Sequence, residues 1–211
     1  MSQQLAPYAH GREGFNGGHY RQSLVSGLIT GGATIAAGAP LFAMRWNPPA
    51  NAQQGYPVCI LQHLYAWGTL TTAFGSAQQL AFQAFFARAF SANLTGGTAL
   101  TPFTTTKANY GKLRTSMGPS LMADMRIAAT TLLGAGTYTL DANPFAQTPS
   151  YLSTNSPGPQ LVAEFNLARG ESPLVLAPNE GILVCNGPTA FGATGVCQLA
   201  IELSWAEAAS F

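Results

Sequence analysis

Over residues 196–207 apolar and polar side chains alternate almost without error. Cys197, Leu199, Ile201, Leu203 and Trp205 fall on one side; Val196, Gln198, Ala200, Glu202 and Ser204 fall on the other. A period of two puts those sets on opposite faces of a strand, one buried and one less so. Residues 181–185 read as a second strand, and Gly-Pro and Gly-Ala-Thr steps punctuate the stretch between the two. The pattern predicts a late hairpin whose last strand closes a β-sandwich. Its tip, residues 187–194, is small, apolar and uncharged around Phe191. That is odd for a loop facing water and predicts contact with another subunit.

The remainder of the chain reads as strands for this pair to pack against. Residues 1–22 hold Gly11, Gly14, Gly17 and Gly18 among polar residues with no apolar period. They form an arm, either frayed or ordered against a neighbouring subunit. Two apolar runs, 23–30 and 33–46, join at Gly31-Gly32, and Pro48-Pro49 ends the second because neither proline can donate to a ladder. Over residues 57–70, Cys59, Leu61, His63, Tyr65 and Trp67 alternate with Val58, Ile60, Gln62 and Leu64. Both sets are largely apolar, as in a central strand.

Residues 78–90 carry enough alanine for an amphipathic helix, yet their phenylalanines repeat at two. As a strand, Leu80, Phe82, Ala84, Phe86, Arg88 and Phe90 share a face. Residues 91–118 make a long polar excursion of the kind that serves function or meets a partner. A helical turn is expected at 120–123, strands at 125–131, 137–140 and 161–168, and a Pro/Ser/Asn loop at 143–160. Eight or nine strands with no βαβ alternation predict an all-β fold. The expected architecture is an antiparallel β-sandwich, an eight-stranded jelly roll spanning 23–211, with an extended N-terminal arm at 1–22.

Composition adds a partner to that picture. The chain has 211 residues, enough for a core without staples, and only 8% are charged. Interface cores are depleted in charge, so the composition favours a component of an assembly. Net charge is +1, and Lys107, Lys112 and Arg114 form the only loose basic group, with Tyr110 among them. That is too sparse to neutralise several phosphates, so no nucleic acid is expected. Residues 22–44 carry no charge, but Gly27, Gly31, Gly32, Gly38 and Pro40 fit two short strands better than a membrane span. The N-terminus lacks the basic stretch and apolar run of a secretory signal, which predicts synthesis in the cytoplasm.

Candidate chemistry is thin. Cys185 and Cys197 lie symmetrically about Phe191, so a hairpin there would place them opposite each other. They are either a cross-strand disulfide or two buried thiols, and an odd cysteine total with no signal favours thiols. No paired CxxC spacing points to a metal. His10 and His19 lie in the arm, and His63 sits amid apolar neighbours as a core or interface histidine. Gly111-Lys112 resembles the end of a phosphate-binding loop, but Thr106 stands at its first glycine and Leu113 at its hydroxyl position. The carboxylates Asp124, Asp141, Glu164, Glu171, Glu180, Glu202 and Glu207 are dispersed and read as rim and turn residues. Asp124 and Arg126, two apart, share a strand face and suit an ion pair. Phe82, Phe85, Phe86 and Phe90 read as core. Trp46, Trp67 and Trp205 are buried or, alternatively, form a carbohydrate platform. No cofactor, metal or enzymatic activity is expected.

Three segments carry a family resemblance. They are LTGGTAL at 94–100, the stretch from Tyr110 to Ala146, and the stretch from Leu174 to Glu207. Within them lie Lys112-Leu113-Arg114-Thr115-Ser116-Met117, Thr139-Leu140-Asp141-Ala142, Asn179-Glu180-Gly181 and Trp205-Ala206-Glu207. In that order they resemble virion structural proteins of tailed bacteriophages, of the capsid-decorating or cement type. The resemblance covers roughly residues 46–207 and leaves the arm outside it. It implies a non-enzymatic β-sandwich that assembles as a homotrimer on the capsid exterior, with the major capsid protein as partner. Cys185, Cys197 and the glycine-rich arm depart from the pattern. The residues expected at subunit or capsid contacts are Phe191 at the tip, Phe15 and Tyr20 in the arm, and Lys112 and Arg114. The competing reading is a tail-fibre or baseplate module that binds host carbohydrate, which predicts exposed tryptophans.

Overall fold

In the computed structural model, residues 18–30, 35–50, 57–100, 111–113, 118–148, 151–153, 160–165, 172–191 and 194–208 are described. They form β1 (Gly18–Val25), β2 (Ile29–Thr30), β3 (Pro40–Trp46), β4 (Val58–Thr72), β5 (Gln78–Leu80), β6 (Phe82–Ala92), β7 (Thr98–Leu100) and β8 (Asp124–Ile127). These are followed by β9 (Thr137–Leu140), β10 (Ala146–Gln147), β11 (Tyr151–Ser153), β12 (Gln160–Glu164), β13 (Leu174–Leu176), β14 (Glu180–Asn186) and β15 (Val196–Ala208). Every pairing between them is antiparallel.

One sheet runs β1-β15-β4-β12, with β13 continuing β12 along β4 and β2 continuing β1 along β15. The other runs β10-β6-β14-β3-β8-β7, with β9 and β10 lying end to end along β6. Merging those broken strands, and setting aside the short β7 and β8 that extend the second sheet beyond β3 and the separate two-stranded sheet of β5 and β11, leaves eight principal strands. In chain order they alternate as first-eighth-third-sixth in one sheet and second-seventh-fourth-fifth in the other. That connectivity is the jelly roll, two Greek keys wound into one sandwich.

The expected C-terminal hairpin is not one. β14 pairs with β3 and β6, whereas β15 pairs with β1 and β4, so the connection crosses from one sheet to the other. Alternation along a strand reports which faces are buried but not which strand is the neighbour. With their strands in different sheets, Cys185 and Cys197 do not face each other. Both are free thiols, and burial pushes them up to about 12 and about 11.

The sandwich interior is filled from both sheets by Phe42, Met44, Leu61, Leu64, Ile182, Val184, Ile201, Leu203, Trp46 and Trp205, among others. Four of the five inward positions expected on β15 belong to this core, and the fifth, the half-buried Cys197, packs against it. On β4 the parity changes midway. Ser204 pairs with His63 and Trp205 with Leu61, leaving Gln62 as the extra residue of a bulge. Cys59 and Leu61 therefore point inward, as do Leu64 and Ala66, while His63, Tyr65 and Trp67 turn to the outer face.

Residues 78–92 are extended, as expected, but they break at Ala81 into β5 and β6, and the phenylalanines do not share a face. Phe82 and Phe86 lie on the interior side; Phe85, Ala87 and Phe90 belong to a second core with Leu94, Leu133, Leu183, Cys185 and Tyr138. Ala89 sits in the left-handed region (φ 47) at a register shift, which moves Phe90 to the opposite side from Phe86. The second core covers the outer face of its sheet beneath residues 93–97 and 132–138, so that sheet is buried on both sides.

Gly18 to Gln22 belong to β1, paired with Glu207 through Leu203, and not to an arm ending at residue 22. The expected helical turn at 120–123 is irregular chain. The Leu121 N–H is committed to the Glu207 carboxylate and the Ala123 N–H to the Arg45 carbonyl. The uncharged stretch 22–44 is divided among β1, β2 and β3, and no helix among the described residues is long and apolar enough to cross a membrane.

Candidate functional site

The outer face of the first sheet is built from the residues that β15 and β4 turn away from the core. Register aligns them in rows across the strands. Arg21, Ser204, His63 and Glu164 form one row; Ser23, Glu202, Tyr65 and Val162 form the next; Val25, Ala200 and Trp67 form a third. Directly paired residues of an antiparallel ladder project to the same side, so the three rows share one surface.

The first two rows are tied together electrostatically. Arg21 pairs with Glu202, and the Tyr65 hydroxyl donates to Glu164. The Ser204 hydroxyl lies 2.9 Å from His63 Nδ1, and His63 stacks on Tyr65 with ring centroids 4.8 Å apart. His63 Nε2 is 3.5 Å from Glu202 Oε1, too far for a hydrogen bond, and is buried with no hydrogen-bond partner in the chain. Burial, then the nearby Arg21 charge, lower the His63 pKa against the opposing pull of Glu202, which keeps the imidazole neutral at pH 7. The third row is apolar. Val25 and Val162 are 61% and 62% exposed at opposite edges of the face, and a groove of about 320 Å³ is lined by Tyr65, Trp67 and Val162.

Hydroxyl, imidazole and carboxylate thus stand in sequence at Ser204, His63 and Glu202. β15 and β4 are both interior strands, so their N–H groups lie in the sheet plane within ladders on either side. Among the described residues no amide pair faces the Ser204 hydroxyl to hold an oxyanion. Among the described residues no group of three His, Cys, Asp or Glu side chains could hold a metal.

Other charged groups serve the scaffold. Arg88 binds Asp141 at 3.1 Å and Glu180 at 2.6 Å and lies over the Phe86 ring, pinning the 177–180 turn to β6. Arg126 holds Asp124 at 2.6 Å, the pair expected from their spacing. Glu207 is internal. It accepts from the Ser120 hydroxyl, the Leu121 N–H and Trp205 Nε1–H, yet burial outweighs those donors and raises its pKa to about 7.

Of the residues expected at contacts, Tyr20 is buried and stacks on Trp205, with its hydroxyl donating to the Gly118 carbonyl. Lys112 bridges Tyr20 through the backbone, and residues 111–113 run beside the outer edge of β1. Phe191 is 4% exposed; its N–H bonds the Ile35 carbonyl and its ring packs on Phe74. The side chain at the tip is therefore turned into this chain's own sandwich, not presented to a neighbour. Its apolar setting reflects a plug between the two sheets, where crossing from one to the other leaves the end open. Phe15 and Arg114 lie outside the described residues, as does His10. Trp46 and Trp205 are fully buried, and Trp67 alone of the three tryptophans reaches the surface.

Arg21, Ser23, Tyr65, Val162, Glu164 and Glu202 were not singled out in the sequence as one surface. The β15 alternation did separate Glu202 and Ser204 from the core set, but their partners across the face depend on register. No protein-family model matches the sequence, and no curated protein matches it. Among solved structures, a chain of turnip yellow mosaic virus is 10% identical, with 90% of this chain and 80% of that chain covered at a TM-score of 0.28. That likeness carries no argument about function, and the jelly roll described above stands on strand connectivity alone.

Proposed function

We propose that this chain is a structural protein of a virus particle, a decoration or cement protein that binds the outside of a capsid lattice and stabilises it. The observation that carries the reading is the jelly-roll connectivity, an architecture used by capsid proteins as well as lectins and cupins. Fold alone does not assign function, so the surface chemistry matters. With 8% charged residues, and with Val25, Leu28, Leu113 and Val162 exposed, the chain is better suited to lying against protein than to standing alone in water. The sequence resemblance to phage capsid-decorating proteins supports the same reading.

The test is reconstitution on capsids of the virus that encodes the chain. Stripped particles incubated with purified protein should bind it in sedimentation and gain resistance to heat-induced rupture. Association with tails alone, or bound protein that leaves rupture unchanged, overturns the proposal. The carbohydrate-binding alternative makes the opposite forecast, namely binding to host cells that is lost in Trp67→Ala.

A further inference from the structure

We propose that the outer face of the first sheet pairs with the same face of a second copy of this chain, about a two-fold axis that runs along the strands between β15 and β4. The pairing is independent of the capsid reading and names a partner that reading does not require. It involves two copies rather than the three that the family resemblance implies.

The argument is register. Across the four strands the order is β1, β15, β4, β12, so an in-plane two-fold between β15 and β4 lays each copy's β1 over the partner's β12, and its β15 over the partner's β4. Rows are preserved by that operation. In the first row Arg21 then meets the partner's Glu164, and Glu164 meets the partner's Arg21. The largely buried Ser204–His63 pair of each copy then lies opposite the same pair of the other, across the axis. In the second row Val162 falls on the partner's Ser23. In the third Trp67 falls on the partner's Ala200, and Val25 projects toward the groove lined by Trp67 and Val162.

Size and charge are complementary under this one operation. The β4–β12 half of the face carries His63, Tyr65, Trp67 and Val162, while the β1–β15 half carries the small Ser23, Ala200 and Ser204 together with Arg21, Val25 and Glu202. The cation of the first row stands at one edge and Glu164 at the other, with the Arg21 side chain 54% exposed. An isologous interface must be self-complementary in this way. Aligned sheet packing permits it within the usual 30° or so of twist. Four strands and three rows cover roughly 400 Å² per copy, about half of a standard interface, so the pair is weak in dilute solution and gains from crowding on a lattice.

Within one chain Arg21 and Glu164 are three strand spacings apart, about 14 Å, and do not pair. That separation gives the experiment its control. Sedimentation equilibrium is run on the full chain, on Arg21→Glu, on Glu164→Arg and on an equimolar mixture of the two variants, with thermal melts confirming that each is folded. Wild type is expected to form a concentration-dependent dimer between roughly 10 µM and 1 mM. Each variant alone places like charges in both edge contacts and should dimerise at least about tenfold more weakly. In the mixture both contacts become Glu-to-Arg, so dimer should return. Trp67→Ala, which leaves the charges alone, should also weaken pairing. A wild type that is monomeric at about 1 mM or trimeric overturns the proposal, as do variants that pair like wild type. So does a mixture with no more dimer than its parts. If either charge variant fails to fold, unchanged pairing in Trp67→Ala overturns it.

Discussion

Glu207 makes the interior of this protein sensitive to pH in a direction opposite to that of a salt-bridged carboxylate. It projects inward from β15, 2% exposed, among three donors from Ser120, Leu121 and Trp205. The titratable group facing it is Cys59 on β4, whose thiol is pushed well up by burial and by the Glu207 charge. Burial raises the Glu207 pKa from 4.5 to about 7. The folded protein therefore holds this proton more tightly than the unfolded chain does. The resulting stability is complete below about pH 4.5 and is lost as pH rises toward about 7. At 1.36 kcal/mol per pH unit the loss is about 3 kcal/mol, or about 10 °C in melting temperature for a chain of this size.

Glu207→Gln removes the titration while keeping the shape. Its amide oxygen still accepts from Ser120 or Trp205, but its NH2 is set against the Leu121 N–H, a pH-independent cost of about 1 kcal/mol. Urea unfolding at intervals from pH 4.5 to 8 measures the difference. Wild type is expected to lose stability relative to the variant across that range. His63, whose lowered pKa adds stability as pH rises through about 6.5, is common to both proteins and cancels. Parallel curves for the two proteins would refute the reasoning, because a carboxylate already ionised at pH 5 in the folded state gives no relative slope.

Three further substitutions and one control test the fold. Phe191→Ala should cost about 3–5 kcal/mol in chemical denaturation, since the ring is buried against Phe74; an unchanged midpoint would mean that the crossing is not plugged there. Gly181→Ala should cost about 2–3 kcal/mol, because an added Cβ would stand 2.1 Å from the Met44 carbonyl oxygen and 2.8 Å from the Phe90 ring. Gly118→Ala, whose Cβ would meet nothing within 4 Å, is the control and should melt near wild type. Arg88→Ala leaves Asp141 and Glu180 without their shared cation and should cost about 1 kcal/mol; melting that does not converge on wild type in high salt would count against an electrostatic origin.

Strand content and the inward set of β15 were legible in the chain because alternation encodes burial directly: Leu199, Ile201, Leu203 and Trp205 could not all face water. The same signal misled wherever a strand was interrupted from within. At Gln62 an extra residue, and at Ala89 a left-handed kink with a register shift, reverse which parity faces the core, and nothing in the local sequence marks either position. That is why His63, Tyr65 and Trp67 turned outward and Phe90 left the face of Phe86. Pairing was further out of reach. Residues 181–185 and 196–207 are adjacent in sequence, and proximity favours a hairpin, yet β14 and β15 belong to opposite sheets because each is held by partners far away in the chain, in β3 and β6 for one and β1 and β4 for the other. By itself the sequence determined that the chain is all-β, that its surface is poor in charge, and which residues of the last strand are core. Only the tertiary structure decided the jelly-roll order, the inward turn of Phe191 and the rows that bring Arg21, His63, Glu202 and Glu164 onto one face. Those depend on register between distant strands, and register is a property of the packed sheet rather than of any one strand.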